Sequence, residues 1–231
     1  LQVLVAGLEG PVRVAHMRWW TTRGEGATNM REVETEAMRE ASKRWGDKVI
    51  HVWDRGFAGA PWLSIAFVHG IRFILRWPKN YRLTDEQGRE RKAWEITRGK
   101  RSLDHRLLWD ARRRCQRKTG IFFTPVFDKD HHQPLWLVVA RPGLGHEPWY
   151  LLTNQLILTS EDAWQVVFAY ARRWNIEMAI RFDKCELAFE SPRLPKWETL
   201  LRLLLIATLA FAFLLSLLPL DHLVSWLLDN W

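Results

Sequence analysis

The chain has 231 residues, 48% of them hydrophobic, a formal net charge of +8 and two cysteines. That length and apolar share are enough for one sizeable core, so one domain is expected. Cys115 and Cys185 lie far apart and match no metal or redox spacing, which speaks against a zinc framework and fits two free thiols in a reducing cytosol. The opening from Leu1 carries no basic-then-apolar leader, so no secretory signal is expected.

In chain order, Gln2 to Leu8 and Val12 to Trp19 are two β-branched and apolar runs around Glu9-Gly10-Pro11, the pattern of a hairpin. The polar, Glu- and Arg-rich stretch from Thr28 to Trp45 predicts a helix, with Thr28 or Asn29 as N-cap. Lys48 to Trp53 predicts a buried strand that stops at Asp54-Arg55-Gly56. Gly59 to His69 predicts a short helix and Ile71 to Trp77 another strand. The order β-β-α-β-α-β points to an α/β fold, one sheet with helices on its faces.

From Asn80 to Gly145 that rhythm breaks. Apolar bursts at Ile121–Phe127 and Leu135–Ala140, with turn signals at Asp128-Lys129-Asp130 and Pro142-Gly143, predict a β-rich insertion of hairpins. The stretch is also basic. Arg98, Lys100, Arg101, Arg106, Arg112, Arg113, Arg114, Arg117 and Lys118 face only Asp104 and Asp110. Such a run is either a solvated face or a contact for a polyanion, nucleic acid or an anionic membrane surface. Trp149 to Thr153 returns to a strand. Glu161 to Lys184 predicts a long helix, and Pro192 to Pro195 separates it from a last helix, nearly all apolar from Leu203 to Leu220. An apolar run of that length raises a membrane span; a helix buried in a protein core is the favoured expectation.

On a continuous helix from Glu161 to Lys184, the side chains of Tyr170, Arg173, Glu177 and Lys184 fall within an arc of about 60° over about four turns. Val167, Ala171, Trp174, Met178 and Phe182 fill the neighbouring sector, so the polar stripe borders the buried face. Glu177, one turn from Arg173, would then be held yet open to a ligand. Asp54 follows a buried strand, at the carboxyl end of a sheet, where α/β folds bind ligands. Asp54 and Glu177 could meet at one divalent cation, since Mg²⁺ takes oxygen ligands and needs only a few carboxylates beside water and phosphate.

The spacing Tyr170-x2-Arg173-x3-Glu177-x6-Lys184 resembles the Tyr–Arg–Glu–Lys motif of insertion-sequence DDE transposases, the IS-Four family. Asp54-Arg55-Gly56-Phe57 is similar to that family's second catalytic aspartate segment, and Trp149 to Asn154 to the strand that leads toward the motif helix. The likeness runs from near Leu1 to about Leu218. It implies a ribonuclease-H-like mixed sheet flanked by helices with a β-rich insertion. The core would then be 1–79, the insertion 80–145, and the rest of the core 146–231.

The resemblance also implies phosphoryl transfer on DNA strands for cut-and-paste transposition, with two Mg²⁺ ions held by two aspartates and a glutamate. Asp54 and Glu177 would be catalytic metal ligands. Tyr170, Arg173 and Lys184 would contact phosphates at the transposon end, and Arg112, Arg113 and Arg114 would add to the DNA-binding charge. Trp94, Trp109 and Trp136 are candidates for stacking on a flipped base. The partner would be double-stranded DNA, bound by a homodimer, in the cytoplasm, with neither membrane nor small-molecule substrate. One departure matters: no Asp precedes Asp47, so the family's first catalytic aspartate and its strand are missing. The chain as given is therefore expected not to cut DNA, and a DNA-binding remnant that interferes with an intact transposase is the alternative.

Overall fold

The computed structural model describes residues 2–5, 13–18, 20–24, 27–110, 114–143, 145–173, 176–177, 181, 185 and 196–217. The elements are β1 (Gln2–Val5), β2 (Arg13–Met17), α1 (Met30–Trp45), β3 (Ile50–Trp53), α2 (Ala60–Val68), β4 (Arg72–Arg76), β5 (Arg82–Thr84), β6 (Glu90–Lys92), α3 (Ala93–Thr97), β7 (Asp104–Asp110), β8 (Cys115–Phe127), β9 (Pro134–Arg141), β10 (Trp149–Thr153), α4 (Ser160–Ala171) and α5 (Trp197–Leu217). Where composition predicts one domain, the chain divides into two compact units, 38–171 and 1–37 with 172–231.

The 38–171 unit is organised by one mixed sheet in the order β3-β4-β10-β9-β8-β5-β6, with β7 paired to β8. β3 and β4 run parallel, joined through α2, and β10 enters antiparallel between β4 and β9. Because successive side chains of a strand point to opposite faces, β4 feeds two cores at once. Phe73 and Leu75 join Trp53, Leu63, Leu137 and Leu152 on one face. Ile74 joins Val138, Leu151, Trp164 and Val167 under α4 on the other. Burial on both faces explains why this strand reads as a near-continuous apolar run. Each fully buried side chain of this kind is worth roughly 1.5–3 kcal/mol over its exposed state. The 80–145 stretch is β-rich as expected, but it is no separate body: β8 and β9 continue the same sheet through β10.

In the other unit, β1 and β2 form the expected antiparallel hairpin, with a register shift between Val3 and Leu4. The first turn of α1 is capped by Asn29, whose Oδ1 accepts from the Glu32 amide at 3.0 Å. Arg18 and Glu36 form an ion pair. In α5, Leu204 is buried while Leu205, Ile206, Leu209 and Phe213 are exposed, so the fully buried apolar helix expected there is not what forms. Among the described residues no helix is long and apolar enough to cross a membrane. Cys115 and Cys185 are both free and exposed.

The long helix predicted over 161–184 differs from the one observed. α4 ends at Ala171, and Arg172 and Arg173 lie in a turn before helical backbone resumes at Ile176 and Glu177. Helices in proteins persist where tertiary packing supports them, and the buried stripe of α4 (Ala163, Trp164, Val166, Val167, Tyr170) stops one residue before the helix does.

Candidate functional site

The carboxyl end of the parallel β3–β4 pair carries charged groups of both signs, Asp54, Arg55 and Arg76. Trp53 is level with Leu75, so Asp54 and Arg76 occupy the next position of each chain. Asp54 leaves the strand in extended conformation (φ −84°, ψ −173°) and its Oδ1 accepts from the Gly56 amide at 2.8 Å, capping a short 3₁₀ turn over Arg55–Phe57. A Cβ on Gly56 would sit 3.0 Å from that same oxygen, which suits glycine to the turn. The carboxylate is exposed. Asp54 thus serves as a turn cap and presents a carboxylate to solvent at once.

Arg76 is 6% exposed. Its Nη2 donates to the Pro148 carbonyl at 3.0 Å, its guanidinium carbon lies 5.6 Å from the Trp149 ring centroid, and its buried Nη1 has no hydrogen-bond partner. Burial brings this guanidinium down to about 10, with Tyr170 and Glu147 pulling the other way and Arg55 adding to the depression. Tyr170 packs edge-on to Trp149 with ring centroids 5.3 Å apart and is itself buried. Arg55 and Lys79 both bind Glu147, at 3.0 and 2.9 Å, and these hydrogen bonds hold its carboxyl below the usual range. A cleft of about 210 Å³ opens among Arg55, Trp77, Lys79 and Glu147.

Of the residues singled out from sequence, Asp54 and Tyr170 therefore belong to the 38–171 unit. Arg173 and Glu177 belong to the other unit, where they form an ion pair with each other. Lys184, Arg112 and Arg113 lie outside the described residues, and Arg114 is an exposed turn residue with φ 48° between β7 and β8. Trp94 sits in α3 with Arg98 over its ring at 5.8 Å, Trp136 in β9 packs on Phe123 at 6.0 Å, and Trp109 belongs to β7. Both described rings are packing residues.

Around Asp54 the chain supplies one uncommitted carboxylate beside several cations, Glu147 being taken by Arg55 and Lys79. Among the described residues no three His, Cys, Asp or Glu side chains converge as a metal site. The buried, half-paired guanidinium of Arg76 gives this end of the sheet a positive charge that suits an anionic oxygen.

Sequence reasoning missed Arg76, although a charged residue inside the apolar run Ile71–Trp77 was a signal. It also missed a relay in which the Asp128 carboxylate meets His131 Nδ1 at 2.6 Å and His131 Nε2 meets Ser64 Oγ at 2.8 Å. The Ser64 hydroxyl also lies 2.8 Å from the Ala60 carbonyl of its own helix and donates there, so the relay ties the β8–β9 turn to α2. No protein-family model matches the chain, and no curated protein is similar to it.

Proposed function

We propose that the chain is the catalytic-core region of a DDE-type DNA transposase, ribonuclease-H-like in fold, and that in this form it binds DNA without cutting it. The observation that carries the reading is the Tyr170-x2-Arg173-x3-Glu177-x6-Lys184 spacing, with Asp54 upstream at the carboxyl end of a parallel strand pair. The mixed sheet with helices supports it at the level of fold class, and the net charge of +8 supports a polyanionic partner. The chain offers two of the three carboxylates that the resemblance requires, Asp54 and Glu177, and no cleavage step is assigned to them.

Arg76 and Tyr170 give the Asp54 end of the sheet a role that does not depend on metal. A backbone phosphate at that end would compensate the buried charge of Arg76 through space. Titrating a labelled duplex into the protein, with and without Mg²⁺, tests the reading. Salt-sensitive binding without strand cleavage is expected. Absence of duplex binding would refute the reading, and Mg²⁺-dependent nicking abolished by Asp54→Ala would refute its non-cutting half.

A further inference from the structure

β7 and β8 pair from Asp104↔Ile121 to Asp110↔Cys115, whereas β9 accompanies β8 only from Gly120 onward. Residues 115–119 of β8 therefore run past the end of β9 as one half of a two-stranded ribbon. On one face of that ribbon Arg106 is committed to α4, paired with Glu161 and lying 5.1 Å from the Trp164 ring centroid. The opposite face carries His105, level with Gly120, and Lys118, level with Leu107. At the root of this second face lies a cleft of about 600 Å³ lined by Ser102, His105, Lys118, Arg141 and His146, with no Asp or Glu among the described residues of its wall.

The cleft is constructed rather than incidental. Arg141 donates to the carbonyls of Lys100 (2.6 Å) and Thr97 (3.1 Å), which fixes its guanidinium beside the segment that leads to Ser102 in the cleft wall. Its positive charge has no carboxylate partner among the described residues, and neither has that of Lys118. A Cβ at Gly120 would come within 2.4 Å of the Ser102 hydroxyl, so only glycine lets the wall close down on β8. Gly143, at φ 86°, carries the opposite wall close to the Lys118 carbonyl, 3.5 Å from where its own Cβ would be. One anchored guanidinium, one exposed lysine, two imidazoles and a hydroxyl, with no acid between them among the described residues, suit an anion such as phosphate.

We infer that this cleft is a phosphate-binding site that seats a backbone phosphate of a nucleic-acid strand running along the basic ribbon. A polymer is favoured over a free anion because the positive charge continues from the cleft to Arg114 at the ribbon tip. The cleft opens at the same end of the sheet as Asp54 and borders Pro148, whose carbonyl accepts from Arg76, but its cations, Lys118 and Arg141, stand on β8 and β9; that the polymer is DNA rests on the transposase reading, whereas the phosphate chemistry does not.

The test compares the parent chain with Lys118→Ala, Lys118→Arg and, as control, Lys43→Ala, an exposed lysine paired with Glu40. Anisotropy of a labelled random-sequence duplex is followed across a salt series, and thermal melting is followed with added inorganic phosphate. Lys118→Ala should weaken duplex binding by about three- to tenfold at low salt and make the logarithmic salt slope shallower by about one. Lys118→Arg should restore both, and Lys43→Ala should change neither. Because Lys118 is exposed, the variants should melt like the parent. An unchanged slope in Lys118→Ala overturns the inference. So does phosphate stabilising the parent but not Lys118→Ala while duplex affinity stays the same, which would mark a free-anion site. Mg²⁺-dependent cleavage, or its lack, bears on the transposase reading alone and leaves this comparison intact.

Discussion

Asp54 and Arg76, of opposite charge, hold the same level of one parallel strand pair, each one residue beyond the matched Trp53 and Leu75. Their environments are opposite too. Asp54 is exposed and spends one oxygen on a backbone turn, whereas Arg76 is buried under Trp149 with one nitrogen unpaired. A buried cation without full compensation is held at a cost in stability, which makes it a candidate for function.

Replacing Arg76 by Met should therefore leave stability unchanged or raise it by about 1 kcal/mol, since an apolar side chain of similar length removes the desolvated charge. Arg76→Ala should instead lower it, because Trp149 loses the stem packed against it. Urea midpoints separate the two, and both variants should bind duplex DNA more weakly. A marked loss of stability in Arg76→Met would assign the residue to structure alone.

Asp54 separates into cap and carboxylate by substitution. Asp54→Ala should cost about 0.5–2 kcal/mol through the lost bond to the Gly56 amide, while Asp54→Asn keeps an accepting oxygen and should stay near the parent. Thermal melts of the pair decide this. Equal destabilisation by both would mean that the negative charge, not the cap, supports the turn.

His51 predicts an acid-sensitive sheet. Burial brings its imidazole down to about 4, against 6.5 for the free side chain. Between those values the unfolded chain is protonated and the folded chain is not, so stability is complete above about pH 6.5 and falls as pH drops toward 4. His51→Gln should flatten the dependence of the urea midpoint on pH in that window. Glu147, whose carboxyl the hydrogen bonds from Lys79 and Arg55 hold below its usual range, adds a loss as pH falls below that range.

Gly120→Ala should destabilise the fold by about 1–3 kcal/mol, the added methyl meeting the Ser102 hydroxyl and Cβ at 2.4 and 2.9 Å. Adding Ser102→Gly should recover most of that loss in the double variant. A double variant as unstable as Gly120→Ala would place the strain elsewhere.

Alternation and punctuation made the hairpin, α1, β3, α2, β4 and β10 legible, because each is short, bounded by turn residues and apolar on the faces it buries. The end of α4 was not legible. The arc shared by Tyr170, Arg173 and Glu177 assumes one unbroken helix, and periodicity cannot register the turn at Arg172 and Arg173 that interrupts it. Asp54 was visible as a carboxylate after a strand; its bond to Gly56 was visible only as an Asp-Arg-Gly turn. The setting of Arg76 was invisible, since Trp149 and Pro148 reach it from more than seventy positions away in sequence.

β3 forms one margin of the sheet, and among the described residues no strand hydrogen-bonds to its outer side. Its residues, Ile50, His51, Val52 and Trp53, include none of the lysines or prolines that commonly blunt such margins. In concentrated solution two folded molecules can zip together along it. Precipitation should then begin from native protein, follow concentration more than temperature, and respond to a single lysine placed at Val52.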